Sequence, residues 1–328
     1  MSSFRVPTTM KALVQHESEP RGVIRDVPVP KLGKNEILIK VAYVAQNSID
    51  WKMAAGMSPP NAIHGFDFAG VVVALGEDLA DSERKVGDPV AGMVHGGGYP
   101  DKGAFAEYLR AESDLVWSVP KSVSMREAVG VTATFATAAL GFFNKLDLVY
   151  PLDTTDEAAK GDRKSTWILI YGGSSSVGLF AIQLAKFAGY SVITTCSPRN
   201  FDLVKEHGAD VVVDYHDSDA AVEKIREPTS GTLTSALDCI SEADSAVICV
   251  KSLAQGGKGT VVQVGPPSDA AAQLASEKNV DMERVMAFTL FGHPVPLGPN
   301  FTVPASPEDR AFYVKLNKDL PVFFEKLV

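Results

Sequence analysis

The stretch WILIYGGSSSVGLFAIQLAKFAG (167–189) restricts the fold of this chain more than any other. Five apolar residues, Trp167 to Tyr171, run into two glycines and three serines. Val177-Gly178 then opens a segment with the apolar spacing of an amphipathic helix. Strand, glycine-rich turn and helix, in that order, aim backbone N–H groups from a helix start at a phosphate. The usual G-x-G-x-x-G spacing is altered, because Gly173 and Gly178 flank Ser175 in the middle slot. Such a string alone is equally an ordinary tight turn. The text around it decides between the two. SVITTC precedes FDLVKEHG, ADVVVDY precedes DAAVEKIRE, ALDCI precedes a helix through Ser252, and GTVVQVG and AFTLFG read as further strands. Alternating strands and helices predict a doubly wound parallel sheet over 126–292, with right-handed crossovers.

In that setting the turn binds a dinucleotide through Gly172, Gly173, Ser174, Ser175, Ser176, Val177 and Gly178. The N–H groups near Val177 and Gly178 are expected to meet the pyrophosphate, with Ser175 adding a hydroxyl donor. The end of the next strand sets which dinucleotide. A carboxylate there favours NAD, but this strand ends Ser197-Pro198-Arg199-Asn200, with no acid before Asp202. A hydroxyl beside a guanidinium suits a ribose 2′-phosphate, so NADPH is the expected cofactor. The alternative for Arg199 is solvation of a helix start. Tyr215, ending the third strand, either meets the adenine end of the cofactor or simply packs. Val264 and Gly265, which close GTVVQVG, complete the expected cofactor set.

At 328 residues the chain suits two domains. Short apolar runs at Lys11–Gln15, Ile37–Val44, Gly70–Leu75 and Pro89–Met93, broken by turns such as VPVPKLGKNE, predict a β-rich, barrel-like antiparallel domain over 1–125. The loop and strand-like run 96–111 continue it. MREAVGVTATFATAALGFF has helical spacing, and 150–166 reads as a solvated loop. The proline-rich 293–309 is excluded from a central strand. A last helix is expected from Pro307, capped by Ser306, with 293–328 returning to the first domain. A net charge of −9 argues against a nucleic-acid partner, and no apolar stretch is long enough to span a membrane. From three scattered cysteines and an opening without a secretory core, a cytoplasmic location is expected.

In sequence, MKALV, VAQNSIDWK (44–52), HGFDFAGVV (64–72), VGDPVAG (86–92), GAFAEY (103–108) and GGSSSVG together resemble the medium-chain dehydrogenase/reductase superfamily, over almost the whole chain. The resemblance implies a GroES-like catalytic domain, a Rossmann NADP-binding domain and an active site between them. The superfamily's alcohol dehydrogenases hold a catalytic zinc through cysteine and histidine. Here those positions resemble Asn47 and Phe66, and VGVTATF offers neither residue, so no metal site is expected. Without a Lewis acid the expected substrate is already electrophilic, a quinone or an activated double bond accepting hydride from NADPH.

YGGSSSVGLFAIQLAK, TTCSPRNFDLVKEHGAD, ALDCI and FGHPVPL are similar to the trans-acting enoyl reductases of fungal polyketide synthases. That group reduces the α,β-double bond of a small-molecule acyl chain tethered to an acyl-carrier domain of the synthase. A quinone or free-enone reductase and a non-catalytic NADPH-binding protein are the alternatives. The same resemblance implies that Lys52 donates a proton or stabilises the enolate, against a solvated surface lysine as the bland reading. It implies Asn47 on the ribose or substrate carbonyl, Asp50 as an anchor, and Thr132 and Thr134 beside the nicotinamide or in helix packing. It also implies a further strand, helix and strand after Val328. In dimeric relatives a strand at AFTLFG pairs across the two-fold axis; the prolines following it here lead us to expect a monomer.

Overall fold

A computed structural model of the protein describes residues 5–80, 82–153, 163–242, 244–254 and 258–327. The chain divides into two units, one of 1–133 with 288–326 and one of 134–287. The sequence boundaries at 126 and 292 thus differ from those of the structure by several residues.

The first unit opens with an antiparallel pair, β1 (Thr9–Gln15) and β2 (Gly22–Pro28). In β1, Met10, Ala12 and Val14 alternate inward with period two and pack on Ile63. A five-stranded antiparallel sheet follows from β3 (Glu36–Ala45), β4 (Asp67–Leu75), β5 (Pro89–Met93), β6 (Tyr108–Glu112) and β7 (Val116–Ser118), in the order β6-β3-β4-β5-β7. Ile37, Ile39, Phe68, Val72, Val90 and Leu109 form its core. The pairing of β3 with β4 shifts register between Val41 and Tyr43. The last helix, Pro307–Leu327, starts where Ser306 Oγ accepts the Asp309 N–H at 3.2 Å. It buries Tyr313, Leu316, Leu320 and Phe323 at helical spacing, and Phe324 stacks on Trp117.

The second unit carries β8 (Trp167–Tyr171), β9 (Ser191–Thr195), β10 (Val211–Val213), β11 (Ser235–Asp238), β12 (Gly259–Gln263) and β13 (Val280–Arg284). All neighbours pair in parallel, in the order β10-β9-β8-β11-β12-β13. Ile168, Leu169 and Ile170 are fully buried, as a central parallel strand covered on both faces requires. Each of the first five strands feeds a helix: Ser176–Phe187, Phe201–Glu206, Ser218–Thr229, Ser245–Ser252 and Asp269–Lys278.

Two readings of the sequence need correction. AFTLFG is not a strand; Ala287–Phe291 forms a 3-10 turn. The sixth strand is the charged VDMER at 280–284, reached from the helix Asp269–Lys278 through left-handed Asn279. A five-residue apolar run reads equally as a strand or as a buried turn, and only pairing with β12 selects the strand. The dimer-blocking argument built on AFTLFG therefore has no strand to act on. The helical reading of 125–143 resolves into two helices, Met125–Ala128 and Thr132–Leu140, the first capped by Ser124 and Glu127. Within the expected loop 150–166, residues 154–162 lie outside the described residues. The only strands in 293–309 are β14 (Val295–Pro296) and β15 (Thr302–Val303), a two-residue ladder apart from both sheets.

Candidate functional site

The glycine turn lies between β8 and the helix Ser176–Phe187. Gly172 takes φ +81, a conformation that other residues avoid. At Gly178 a Cβ would stand 2.3 Å from the Gly172 carbonyl oxygen and 2.7 Å from the Gly173 Cα. Gly178 is therefore the residue that lets the helix close onto the strand end. Ser175 also caps the helix: its Oγ accepts the Gly178 N–H at 3.1 Å. Gly178's N–H is thereby spent inside the turn. The N–H groups of Ser176 and Val177, which make no hydrogen bond among the described residues, remain at the positive end of the helix.

After β9, Ser197 precedes a 3-10 turn, Pro198–Asn200, whose middle residue is Arg199. Ser197 Oγ and Tyr215 Oη are 3.3 Å apart. Arg199 is exposed and forms no ion pair among the described residues. Two hydroxyls thus meet on neighbouring strand ends, with Arg199 two residues after Ser197 in the chain. His216 stacks on Tyr215 and pairs with Asp214, a contact the sequence reading missed. Val264 donates its N–H to Asp238 O at 3.2 Å, and Gly265 donates its own to Ser241 Oγ at 3.0 Å. Thr134, also in this unit, is buried in the first turn of its helix.

In the first unit, Asn47 caps the short helix Ser48–Lys52. Its backbone N–H donates to Asp50 Oδ2 at 2.6 Å, and its side-chain Nδ2 donates to Asp67 Oδ2 at 2.9 Å. The other oxygen of Asp67 accepts the Ala133 N–H at 2.9 Å. Asp67 is fully buried, and burial pushes its carboxyl up to about 7, against the pull of Asn47 and the Ala133 N–H. Asp50 rises to about 6, again chiefly through burial. Lys52 ends the helix on the surface, its ammonium 5.7 Å from the ring centroid of Trp51, which is 62% exposed. Thr132 is buried and accepts the Trp117 indole N–H at 3.0 Å, so its hydroxyl serves packing.

The zinc positions do not fit a metal. Asn47's amide is bound to Asp67, and the Phe66 ring lies edge-on to His95 and Phe288 at 5.7 Å. No group of three or more histidine, cysteine or acidic side chains stands ready for a metal among the described residues. Buried His95 bonds the Pro296 carbonyl through Nε2, and burial lowers it to about 4. Asp67 escaped the sequence reading because its partners, Asn47 and Ala133, are distant in the chain. Its place directly after Phe66, opening an apolar strand, was the available signal. A cavity of about 750 Å³ in the first unit, lined by Arg84, Asp114, Arg310 and Lys318, contains none of the expected site residues. Among the described residues, no helix is long and apolar enough to cross a membrane.

Residues 33–121 match the alcohol dehydrogenase GroES-like domain family, and 176–293 match the zinc-binding dehydrogenase family. The chain is 40% identical over 320 residues to trans-enoyl reductase caaB of Aspergillus niger, covering 96% of this chain and 86% of that protein. Trans-enoyl reductase thnE of Trichoderma harzianum is 39% identical over 93% of this chain and 84% of its own. A mycobacterial protein solved in complex with NADPH has a TM-score of 0.73 at 25% identity, over 96% of this chain and 88% of that one. The family and that neighbour support a nicotinamide cofactor. With both halves matched and such identity sustained along nearly the whole length, the chain belongs to the medium-chain dehydrogenase/reductase family, among its trans-enoyl reductases.

Proposed function

We propose that this protein is an NADPH-dependent reductase that acts without zinc on the α,β-double bond of a polyketide enoyl thioester carried by an acyl-carrier domain. The observation that carries the reading is the contrast between an intact glycine turn and metal positions closed by the Asn47–Asp67 bond and the Phe66 ring. The enoyl reductase names of the relatives support the substrate class.

In this reading the second unit, with boundaries at 134 and 287, is the NADP-binding domain and the first is the catalytic domain. Ser176 and Val177 offer N–H groups to the pyrophosphate, while Gly172, Gly173, Ser174, Ser175 and Gly178 shape the turn. Ser197, Arg199 and Tyr215 take the 2′-phosphate, the guanidinium supplying paired charged donors. Val264 and Gly265 border the same strand ends. Bound there, NADPH supplies the hydride. Lys52 supplies a proton or holds the negative charge that develops on the thioester oxygen. Asn47 keeps Lys52's helix in place and holds the ribose or the substrate carbonyl, and Thr134 borders the nicotinamide.

The partner is an acyl-carrier domain of a polyketide synthase. The protein is a monomer in this reading, because the edge strand β13 carries Asp281, Glu283 and Arg284, charges that discourage strand addition. Three free, buried cysteines suit a reducing cytoplasm. The test is NADPH oxidation with an enoyl-pantetheine thioester and, separately, with a simple quinone. Turnover of the thioester is expected; turnover of the quinone alone would reject the assignment.

A further inference from the structure

One buried carboxylate of the second unit has no part in the scheme above, although it touches the loop against which the cofactor turn is packed. Asp238 ends the central strand β11 and is fully buried. Its Oδ1 accepts the N–H groups of Ile240 at 3.0 Å and Ser241 at 2.9 Å. Its Oδ2 accepts the Ser245 hydroxyl at 2.7 Å and lies 3.5 Å from Gln263 Nε2. A carboxylate taken out of water is retained only with such partners, and two of these are the N–H groups of a three-residue turn.

That turn, Cys239–Ser241, is wedged between two glycines of the expected cofactor set. A Cβ on Gly172 would come within 2.4 Å of Ile240 Cγ1, and one on Gly265 within 2.8 Å of Ser241 Cβ. Ser241 holds φ +56, strained for a serine, and its Oγ accepts the Gly265 N–H at 3.0 Å. Cys239 donates its N–H to Tyr171 O at 3.0 Å, pinning the turn to β8 as well. The strained backbone and the two glycine gaps fit each other only while both N–H groups stay on the Asp238 carboxylate.

We infer that Asp238 is a positioning residue for cofactor binding: through the Cys239–Ser241 turn it sets the height of Gly172 in the phosphate-binding turn and of Gly265 beside it. The inference rests on the reading of the glycine turn as the cofactor site. Without the carboxylate, Ser241 relaxes from its left-handed conformation and Ile240 lifts from Gly172. The pyrophosphate N–H groups then lose their common direction. The cost falls on cofactor affinity and not on the enoyl substrate.

The test compares Asp238→Ala, Asp238→Asn and Ser241→Ala with the wild type by NADPH fluorescence titration, steady-state kinetics and thermal unfolding. Asp238→Ala is expected to weaken NADPH binding about tenfold or more, the cost of two orphaned N–H groups. KM for an enoyl-pantetheine thioester stays within about twofold, since only the cofactor turn moves. Asp238→Asn is expected to recover most of the affinity, because an amide oxygen accepts the same two N–H groups. Ser241→Ala, which frees the Gly265 N–H, gives up a long 3.4 Å bond to Asp238 O and leaves the core intact, is expected to cost about threefold to fivefold. A folded Asp238→Ala chain with unchanged NADPH affinity overturns the inference. So does an Asp238→Asn chain as weak as Asp238→Ala, which would assign the loss to the core. If Asp238→Ala does not fold, unchanged affinity in Ser241→Ala overturns it instead. A wild type that binds neither NADPH nor NADH overturns the cofactor reading together with this one. A wild type that prefers NADH overturns only the 2′-phosphate reading, and the same variants are then decided with NADH.

Discussion

The glycine turn of the second unit and the Asn47–Asp67 cluster of the first are built from different parts of the chain. The turn works with main-chain N–H groups, so Ser175 in the middle slot is tolerated and even recruited as the helix cap. What it does not tolerate is a Cβ at Gly178, where the backbone of Gly172 and Gly173 already stands. The cluster works with side chains, so each replacement there changes its chemistry. The side-chain amide at position 47 binds buried Asp67 instead of offering a metal donor, while the backbone N–H of the same residue holds Asp50. A backbone-built site keeps its task through substitutions that would abolish a side-chain-built one.

The largest test of that contrast is Gly178→Ala. A methyl group meeting backbone at 2.3 Å has nowhere to go, and a loss of about 2–3 kcal/mol in stability is expected by chemical denaturation, with NADPH binding lost. Unchanged stability would mean that the turn is looser than its geometry. Next is Arg199→Ala, expected to weaken NADPH by about 10–100-fold, the value of a charge-assisted contact, with NADH affected little. Equal losses for the two cofactors, read by titration, would remove Arg199 from the 2′-phosphate site.

On the side-chain half, Lys52→Ala is expected to lower turnover about tenfold or more while cofactor affinity holds, as a proton donor or charge stabiliser requires. Undiminished turnover would return Lys52 to the solvated surface. The smallest effect concerns the pH dependence of stability. Asp67 titrates near 7 in the folded protein against an ordinary 3.8, so between those values the native state holds a proton that the unfolded chain has released. Its contribution to stability is therefore greatest at low pH and falls as pH rises from about 4 to about 7. Asp67→Asn, accommodated by a flip of the Asn47 amide, is expected to flatten this slope and to raise stability at pH 8. An unaltered pH profile of the unfolding midpoint would count against the buried-acid account.

Much of this was legible in the residues because it depends on short-range rules. Strand-turn-helix around Gly172–Gly178, the hydroxyl and guanidinium after β9 and the Ser306 cap each lie within a few residues. AFTLFG was misread because a short apolar run has no period of its own. VDMER was missed for the complementary reason: only its place beside β12 makes it a strand.

By itself the sequence determined the class of fold and the strand-turn-helix at Gly172–Gly178, since periodicity and turn chemistry are local properties. The tertiary structure alone decided which buried polar groups meet. Asp67 finds Asn47 twenty residues away and Ala133 still farther, and Ser241 finds Gly265 across two strand ends. Those pairings are settled when the core closes, because a buried donor or acceptor must take whatever partner the packing brings within reach.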